Sequence, residues 1–352
     1  MSRSAAWREL AGAELAARAD ELDDLLAATG APATARWAAI EVWLRHNSGE
    51  QAWGLVHETP DGIDAAAVFA RRRRWGLWRV RTVGRPGEQS WIAAADADRA
   101  RQLAGALTDA LGRAGRPWTL LAADLPEPDL AADALARGLP ETEVREGNTV
   151  PVVRFRPGSR LTDHLSRNTR SAVAKARNRV AADGLRMELT WHREPDVIAG
   201  LLPEVIELHQ ARNRQLRGHA ILDDPAERAE FSDTVLAHAG RGDADLLTLR
   251  LDGGLAAFAV GLRSGGELYV YANYVSPRWL AHSGGTIANA EVIRYAFEQP
   301  GLTGVDWGPG PQRYKLSRAE VRRTQHVEAW SSPTVRRIVQ AARAARAGVR
   351  RA

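Results

Sequence analysis

The sequence contains no cysteine, which excludes disulfides, thiol nucleophiles and thiolate-ligated zinc together. Lysine is almost missing as well: Lys175 and Lys315 stand alone, and arginine supplies 46 of the 48 basic residues. No apolar run approaches the roughly eighteen residues that a membrane-spanning helix needs. The opening residues soon meet the acidic stretch Asp20-Glu-Leu-Asp-Asp24, which does not read as a signal peptide. With no disulfides and no span, the expectation is a cytoplasmic protein. The nine histidines show no metal-ligand spacing, so no metal is expected.

What is present fits an ordinary globular chain. Its 352 residues are 45% hydrophobic and 26% charged, enough for two domains with sizeable cores. The formal net charge of +5 is unevenly spread. Residues 1–150 carry 18 basic and 22 acidic groups, whereas residues 151–184 carry eight basic and two acidic ones and residues 333–352 six basic and none acidic. Local basic stretches suit an anionic partner such as phosphates, nucleic acid or a lipid surface, or they are solvated helix faces.

Hydrophobic periodicity organises the chain into two similar halves. The first stretch, to Leu44, reads as helical, and strand-like runs follow at Gln51–Glu58, Ile63–Arg71 and Leu77–Val83. Then come a helix from Asp96 to Leu111, a strand Trp118–Ala122, a short helix Leu130–Arg137 and an extended run Thr149–Phe155. The second half repeats that order. A basic helix Thr162–Ala182 and a strand Met187–Trp191 precede helices at Ile198–Leu216 and Pro225–Ala239. A meander of Ala244–Leu251, Leu255–Leu262 and Leu268–Val275 follows, its connections Asp252-Gly-Gly254 and Ser264-Gly-Gly266 being hairpin signals. A helix Thr286–Phe297 and strands Thr303–Trp307 and Gln325–Trp330 close the half, and Thr334–Arg350 reads as a terminal amphipathic helix. The expected fold class is mixed α/β, with domains at 1–150 and 151–332 and a basic helix at 333–352; the boundary falls within Pro140–Gly158.

Three segments of the second half carry chemistry. In Val275-Ser-Pro-Arg278-Trp-Leu-Ala-His-Ser283-Gly284-Gly285-Thr286, a glycine pair opens a helix whose free N–H groups and partial positive charge suit a pyrophosphate, with Ser283 and Thr286 as hydroxyl donors. The alternative is a plain turn capped by Ser283. The matching place in the first half, Gly87 to Asp98, offers carboxylates and no glycine pair, so phosphate binding is expected in the second half only. On the preceding strand, alternation places Tyr269, Tyr271 and Asn273 on one face, as the lining of a substrate cleft or as satisfied residues at the core's edge, with Tyr274 on the other face. In Val305-Asp306-Trp-Gly-Pro-Gly310 and Tyr314-Lys315, a carboxylate ends an apolar strand ahead of a glycine-rich loop. Asp306 can orient or deprotonate an amine, or cap a turn; Lys315 can steady an oxyanion or a phosphate, or lie on the surface.

These segments, with the arginine-rich helix Leu165–Arg177 and the hairpin Leu249–Ala257, resemble the GNAT acyltransferase superfamily. The similarity is to its tandem-domain branch, related to Fem-type aminoacyltransferases and to the acetyltransferases of cellulose biosynthesis, and it spans residues 160–330. The sequence departs from that pattern at Pro311-Gln312-Arg313, where the family usually has an acidic residue. The resemblance implies two GNAT-like domains, the second binding acetyl-CoA or another acyl-CoA through Arg278 and Ser283 to Thr286, and N-acylating a small amine in a cleft between domains. It carries Lys315 to the donor site; Tyr269, Asn273 and Tyr314 are the expected substrate contacts. Tyr271, Asp306 and His209 are candidates for the base, as is a water chain.

Arg167, Arg170 and Arg177 share one face of the basic helix, a cluster suited to cofactor phosphate, an acidic acceptor or the backbone of an aminoacyl-tRNA. Two other functions therefore stand beside acyl-CoA chemistry. One is a Fem-type transfer from aminoacyl-tRNA, and the other a non-catalytic anion-binding module. Oligomeric state is not legible.

Overall fold

In the computed structural model, residues 5–310 and 318–349 are described, with side chains through residue 345. Tyr314 and Lys315 lie outside the described residues. The chain divides into two units, residues 1–148 with 323–352 and residues 149–322.

The first unit opens differently from the expected helix. Strand β1 (Ala6–Ala11) pairs antiparallel with β2, Ala6 opposite Glu58 and Ala11 opposite Trp53, before α1 (Ala13–Ala16), α2 (Ala19–Ala28) and α3 (Trp37–His46). Six residues are too few for periodicity to register, so only the leucines after them were legible as helix. A meander β2 (Gln51–Thr59), β3 (Gly62–Arg74) and β4 (Leu77–Thr82) follows, then β5 (Ala93–Ala94), α4 (Ala97–Arg113), β6 (Trp118–Glu127), α5 (Leu130–Gly138) and β7 (Thr142–Arg154). The sheet order is β1-β2-β3-β4-β6-β13, where β13 is Glu320–Trp330. Its two faces bury separate cores, one of Leu103, Leu107 and Leu135 from α4 and α5, the other of Leu22, Leu26, Trp37 and Trp43 from α2 and α3.

The second unit holds α6 (Leu161–His164), α7 (Arg167–Ala182), β8 (Met187–His192), α8 (Pro195–Arg217), α9 (Pro225–Gly240), β9 (Ala244–Leu251), β10 (Gly254–Ser264), β11 (Glu267–Val275), α10 (Gly284–Glu298) and β12 (Gly304–Asp306). Its strands run in the order β7-β12-β11-β10-β9-β8, antiparallel except for the β11–β12 pair. The expected basic helix is broken at Leu165-Ser166, where the Ser166 hydroxyl accepts the Thr169 N–H and starts α7 afresh. Ala176 and Val180 of α7 are buried with Ile287, Val292 and Ala296 of α10.

The expected second domain, 151–332, ends earlier in the structure. Residues 323–330 pair with β6, from Arg323 opposite Glu127 to Trp330 opposite Thr119, so this strand and helix α11 (Pro333–Val349) belong with the first unit. A closing strand that returns to the first sheet cannot be told by pattern from one that stays with the second.

Candidate functional site

The site begins where two parallel strands part. β11 and β12 pair at Glu267/Gly304, Leu268/Val305 and Tyr269/Asp306, and there β12 stops while β11 runs on to Val275. No other strand among the described residues pairs with that edge of β11. Beyond Tyr269, then, no strand among the described residues continues that edge of β11.

The first unit has the same parallel pair, β4 with β6, and beside it a cavity of about 550 Å³ lined by Thr82, Ser90, Leu121 and Ala123. Beyond Arg81/Leu121 the backbone of β6 is taken by side chains: Ala123 donates its N–H to the Thr82 hydroxyl at 3.1 Å, and the Ser90 hydroxyl donates to the Ala123 carbonyl. Helix α4 also begins under a carboxylate, Asp96, which accepts the Arg99 N–H at 2.8 Å.

In the second unit α10 begins at the glycine pair. Ser283 lies in the left-handed region (φ 55°, ψ 38°) and its side chain makes no capping bond, so the expected hydroxyl cap is not formed. The first amides of a helix have no partner within it, and here they are those of Gly284 and Gly285. Gly284 is crowded against the sheet and Gly285 lies in ordinary contact with it. A Cβ on Gly284 would stand 3.3 Å from Leu249 Cδ2, and one on Gly285 3.7 Å from Val275 Cβ. The helix start thus sits beside the last residue of β11. The turn before it, Pro277–His282, is tied to the far end of α7, because Arg179 donates to the Ala281 carbonyl and His282 Nε2 lies 2.9 Å from Asp183 Oδ2. Arg278 is exposed and stacks over Trp279, 4.8 Å from the ring centre.

A bulge in β11 changes which side chains share a face. Val260 opposes Ala272 while Gly261 opposes Val270, leaving Tyr271 as the extra residue. Alternation restarts there. Asn273 turns toward α10 and donates to Asn289 Oδ1 at 2.9 Å, while Tyr274 packs 4.3 Å from the His209 ring of α8. Tyr271 stacks on Phe231 of α9 at 5.5 Å and lies 6.3 Å from Tyr269. The expected face of Tyr269, Tyr271 and Asn273 is therefore corrected to Tyr269, Tyr271 and Tyr274, with His209 and Phe231 across from it. Among these, Tyr274 and Phe231 were missed from the sequence. A one-residue bulge in a strand without a glycine at the bulge leaves no mark in the pattern.

His209 is 6% exposed and its pKa is pushed down to about 4, first by burial and then by the charge of Arg217. Its imidazole is neutral near pH 7, and the Asn213 amide nitrogen stands 3.4 Å from its ring nitrogens. Asp306 has a different place from the one expected for a base. It is buried at 1% exposure, accepts the Gly308 N–H at 2.7 Å and pairs with Arg322 at 3.2 Å. It shapes the turn after β12: Gly308 has φ +67°, and a Cβ there would meet the Tyr269 ring at 3.3 Å.

Arg167 and Arg170 are exposed on the first turn of α7, and Arg177 is exposed further along. It is the other end of α7, about nine residues or roughly 14 Å along the axis from Arg170, that touches the loop before α10. The structure does not bring Arg167 and Arg170 to the glycine pair. Among the described residues, no group of three or more histidine, aspartate or glutamate side chains is placed to hold a metal, and no helix is long and apolar enough to cross a membrane.

Comparison with known proteins defines the class. Residues 167–316 match the family model described as acetyltransferase (GNAT) domain. The second unit carries a GNAT acetyltransferase domain, and the protein is an acyltransferase. Solved structures with the same fold include FemX, at a TM-score of 0.64 with 12% identity over 88% of this chain and 95% of that one. Another is the C-terminal domain of a putative lysylphosphatidylglycerol synthetase from Agrobacterium fabrum, at 0.54 with 12% identity over 93% of this chain and 96% of that one. A third, L-PGS from Bacillus licheniformis, gives 0.53 with 12% identity over 88% and 91%. At these identities the likeness is one of fold. No curated protein matches the sequence.

Proposed function

We propose that the second unit binds an acyl-CoA, acetyl-CoA in the simplest case, and transfers its acyl group to the amine of a small metabolite. The observation that carries this reading is the meeting of a strand end that no described strand flanks on one side with an uncapped helix start, Gly285 lying against Val275. The Gly284 and Gly285 amides, with the Ser283 and Thr286 hydroxyls beside them, suit the diphosphate. The end of β11 beyond Tyr269 suits the amide groups of the pantetheine arm, and its N–H groups suit a polarised carbonyl oxygen. Acyl-CoA supplies an activated thioester, so direct attack by an amine needs no enzyme nucleophile, in keeping with a chain that lacks cysteine. Tyr271, at the bulge, is the group assigned to proton transfer, and Tyr274 and Phe231 wall the acceptor's side of the strand. With its helix start held by the Asp96 carboxylate, the first unit is read as having no donor site.

The test is turnover: acetyl-CoA with a panel of primary amines, followed by thiol release. Amine-dependent release supports the reading. No release with any amine, alongside amide formation from aminoacyl-tRNA, replaces it with the second reading, which the exposed Arg167, Arg170 and Arg177 of α7 favour.

A further inference from the structure

The tip of the β3–β4 hairpin breaks a local rule. Its two turn residues, Trp75 and Gly76, have φ of 53° and 77°, the left-handed pair that asparagine or glycine normally fills. A tryptophan there is costly for the backbone, and it is not repaid by burial, since Trp75 is 76% exposed. Neither the turn nor the core accounts for this residue.

Its surroundings do. Helix α11 is tethered to the body by one edge, Arg336 pairing with Glu143 at 3.1 Å and Arg343 with Glu328. Those pairs turn Val335, Ile338 and Val339 toward the hairpin, where with Trp75, Leu77 and Pro117 they line an apolar groove of about 280 Å³. Ile338 is 64% exposed at its lip. The rim is cationic: Arg73 and Arg74 are exposed beside the tip, Arg74 lying 4.3 Å over the Trp75 ring, and Arg337 is exposed on the helix. From Ser331 to Ala352 there are six arginines and no acidic residue.

We infer that the hairpin tip and α11 form a docking surface for an anionic phospholipid bilayer. Trp75 and Ile338 enter the boundary between headgroups and acyl chains, and Arg73, Arg74 and Arg337 meet lipid phosphates. An indole ring at the interface, aliphatic side chains below it and guanidinium groups at the rim match that layered chemistry. A nucleic acid matches less well, because Val335, Ile338 and Val339 offer neither stacking planes nor hydrogen bonds to bases.

Flotation of the full chain with mixed phosphatidylcholine–phosphatidylglycerol vesicles tests this, with pure phosphatidylcholine vesicles as reference. Binding is expected to the mixed vesicles only. It should weaken about 30-fold in Arg73→Gln/Arg74→Gln, at about fivefold for each arginine removed near the surface, and at least tenfold in Trp75→Ser/Ile338→Ser. Because the chain has no cysteine, Trp75→Cys also accepts a single environment-sensitive dye, whose emission should shift to the blue on binding. No binding at low salt overturns the proposal. So does full binding by Trp75→Ser/Ile338→Ser, or a Trp75-dependent gel shift with total tRNA in the absence of vesicle binding.

Discussion

Gly285 and Tyr271 do different work within a few ångströms of the same strand. Tyr271 is the extra residue of the β11 bulge, stacked on Phe231. Tyr271→Phe keeps that stack and removes only the hydroxyl, so kcat should fall about a hundredfold with little change in the KM for acetyl-CoA; steady-state kinetics read both. His209 makes a prediction about pH. Its folded pKa of about 4 lies below the ordinary 6.5, so the unfolded chain takes up the proton first as pH falls. The stabilisation is complete above pH 6.5 and is lost as pH drops toward 4, by at most about 3 kcal/mol. Thermal midpoints measured between pH 7 and 5 should fall more steeply in the native protein than in His209→Phe. Some of this was legible in the sequence: Ser283, Gly284 and Gly285 do sit at a helix start, because glycine before an apolar-periodic run is a local signal. The buried pairing of Asp306 with Arg322 was not, since sixteen residues separate them.

At the level of elements, the turn after β12 decides where the two parallel strands part. Asp306 holds that turn through the Gly308 N–H and is neutralised by Arg322, which also pairs with Glu267 of β11 at 2.5 Å. Arg322→Met removes the cation that a 3.2 Å contact places beside a carboxylate of 1% exposure, and stability should drop by about 3 kcal/mol in urea titrations. Adding Asp306→Asn removes the buried charge yet keeps an acceptor for Gly308, and should restore most of the loss. The meander, the helix after it and the parallel strand were legible because each has a period and a turn signal. Strand β1 was too short for its period to show. The bulge that moves Asn273 to the α10 side and Tyr274 to the His209 side depends on pairing with β10, which one strand's own residues do not record.

Across the whole molecule, one order of elements occurs twice, and the two copies differ at the start of the helix that follows the meander. Helices, a three-stranded meander, a helix and a parallel strand recur in both units. The uneven charge does not follow this division: with residues 323–352 included, the first unit holds 25 basic and 23 acidic residues and the second 23 and 20. In the first, the Asp96 carboxylate accepts a first-turn amide of α4, whereas α10 of the second begins at Gly284 and Gly285 without a side-chain cap. The chain should therefore take up one acyl-CoA, and the variant that separates donor binding from folding is Gly285→Glu. A Cβ there has ordinary contact distance to Val275, and a carboxylate in a helix's first turn favours the helix while repelling a diphosphate. Gly284 is unsuited to this purpose because its Cβ would press on Leu249 at 3.3 Å. Isothermal titration with acetyl-CoA puts the claim to the most direct test: one site per chain is predicted, lost in Gly285→Glu at an unchanged thermal midpoint. Absence of binding to the native protein, or equal binding by the variant, would contradict it.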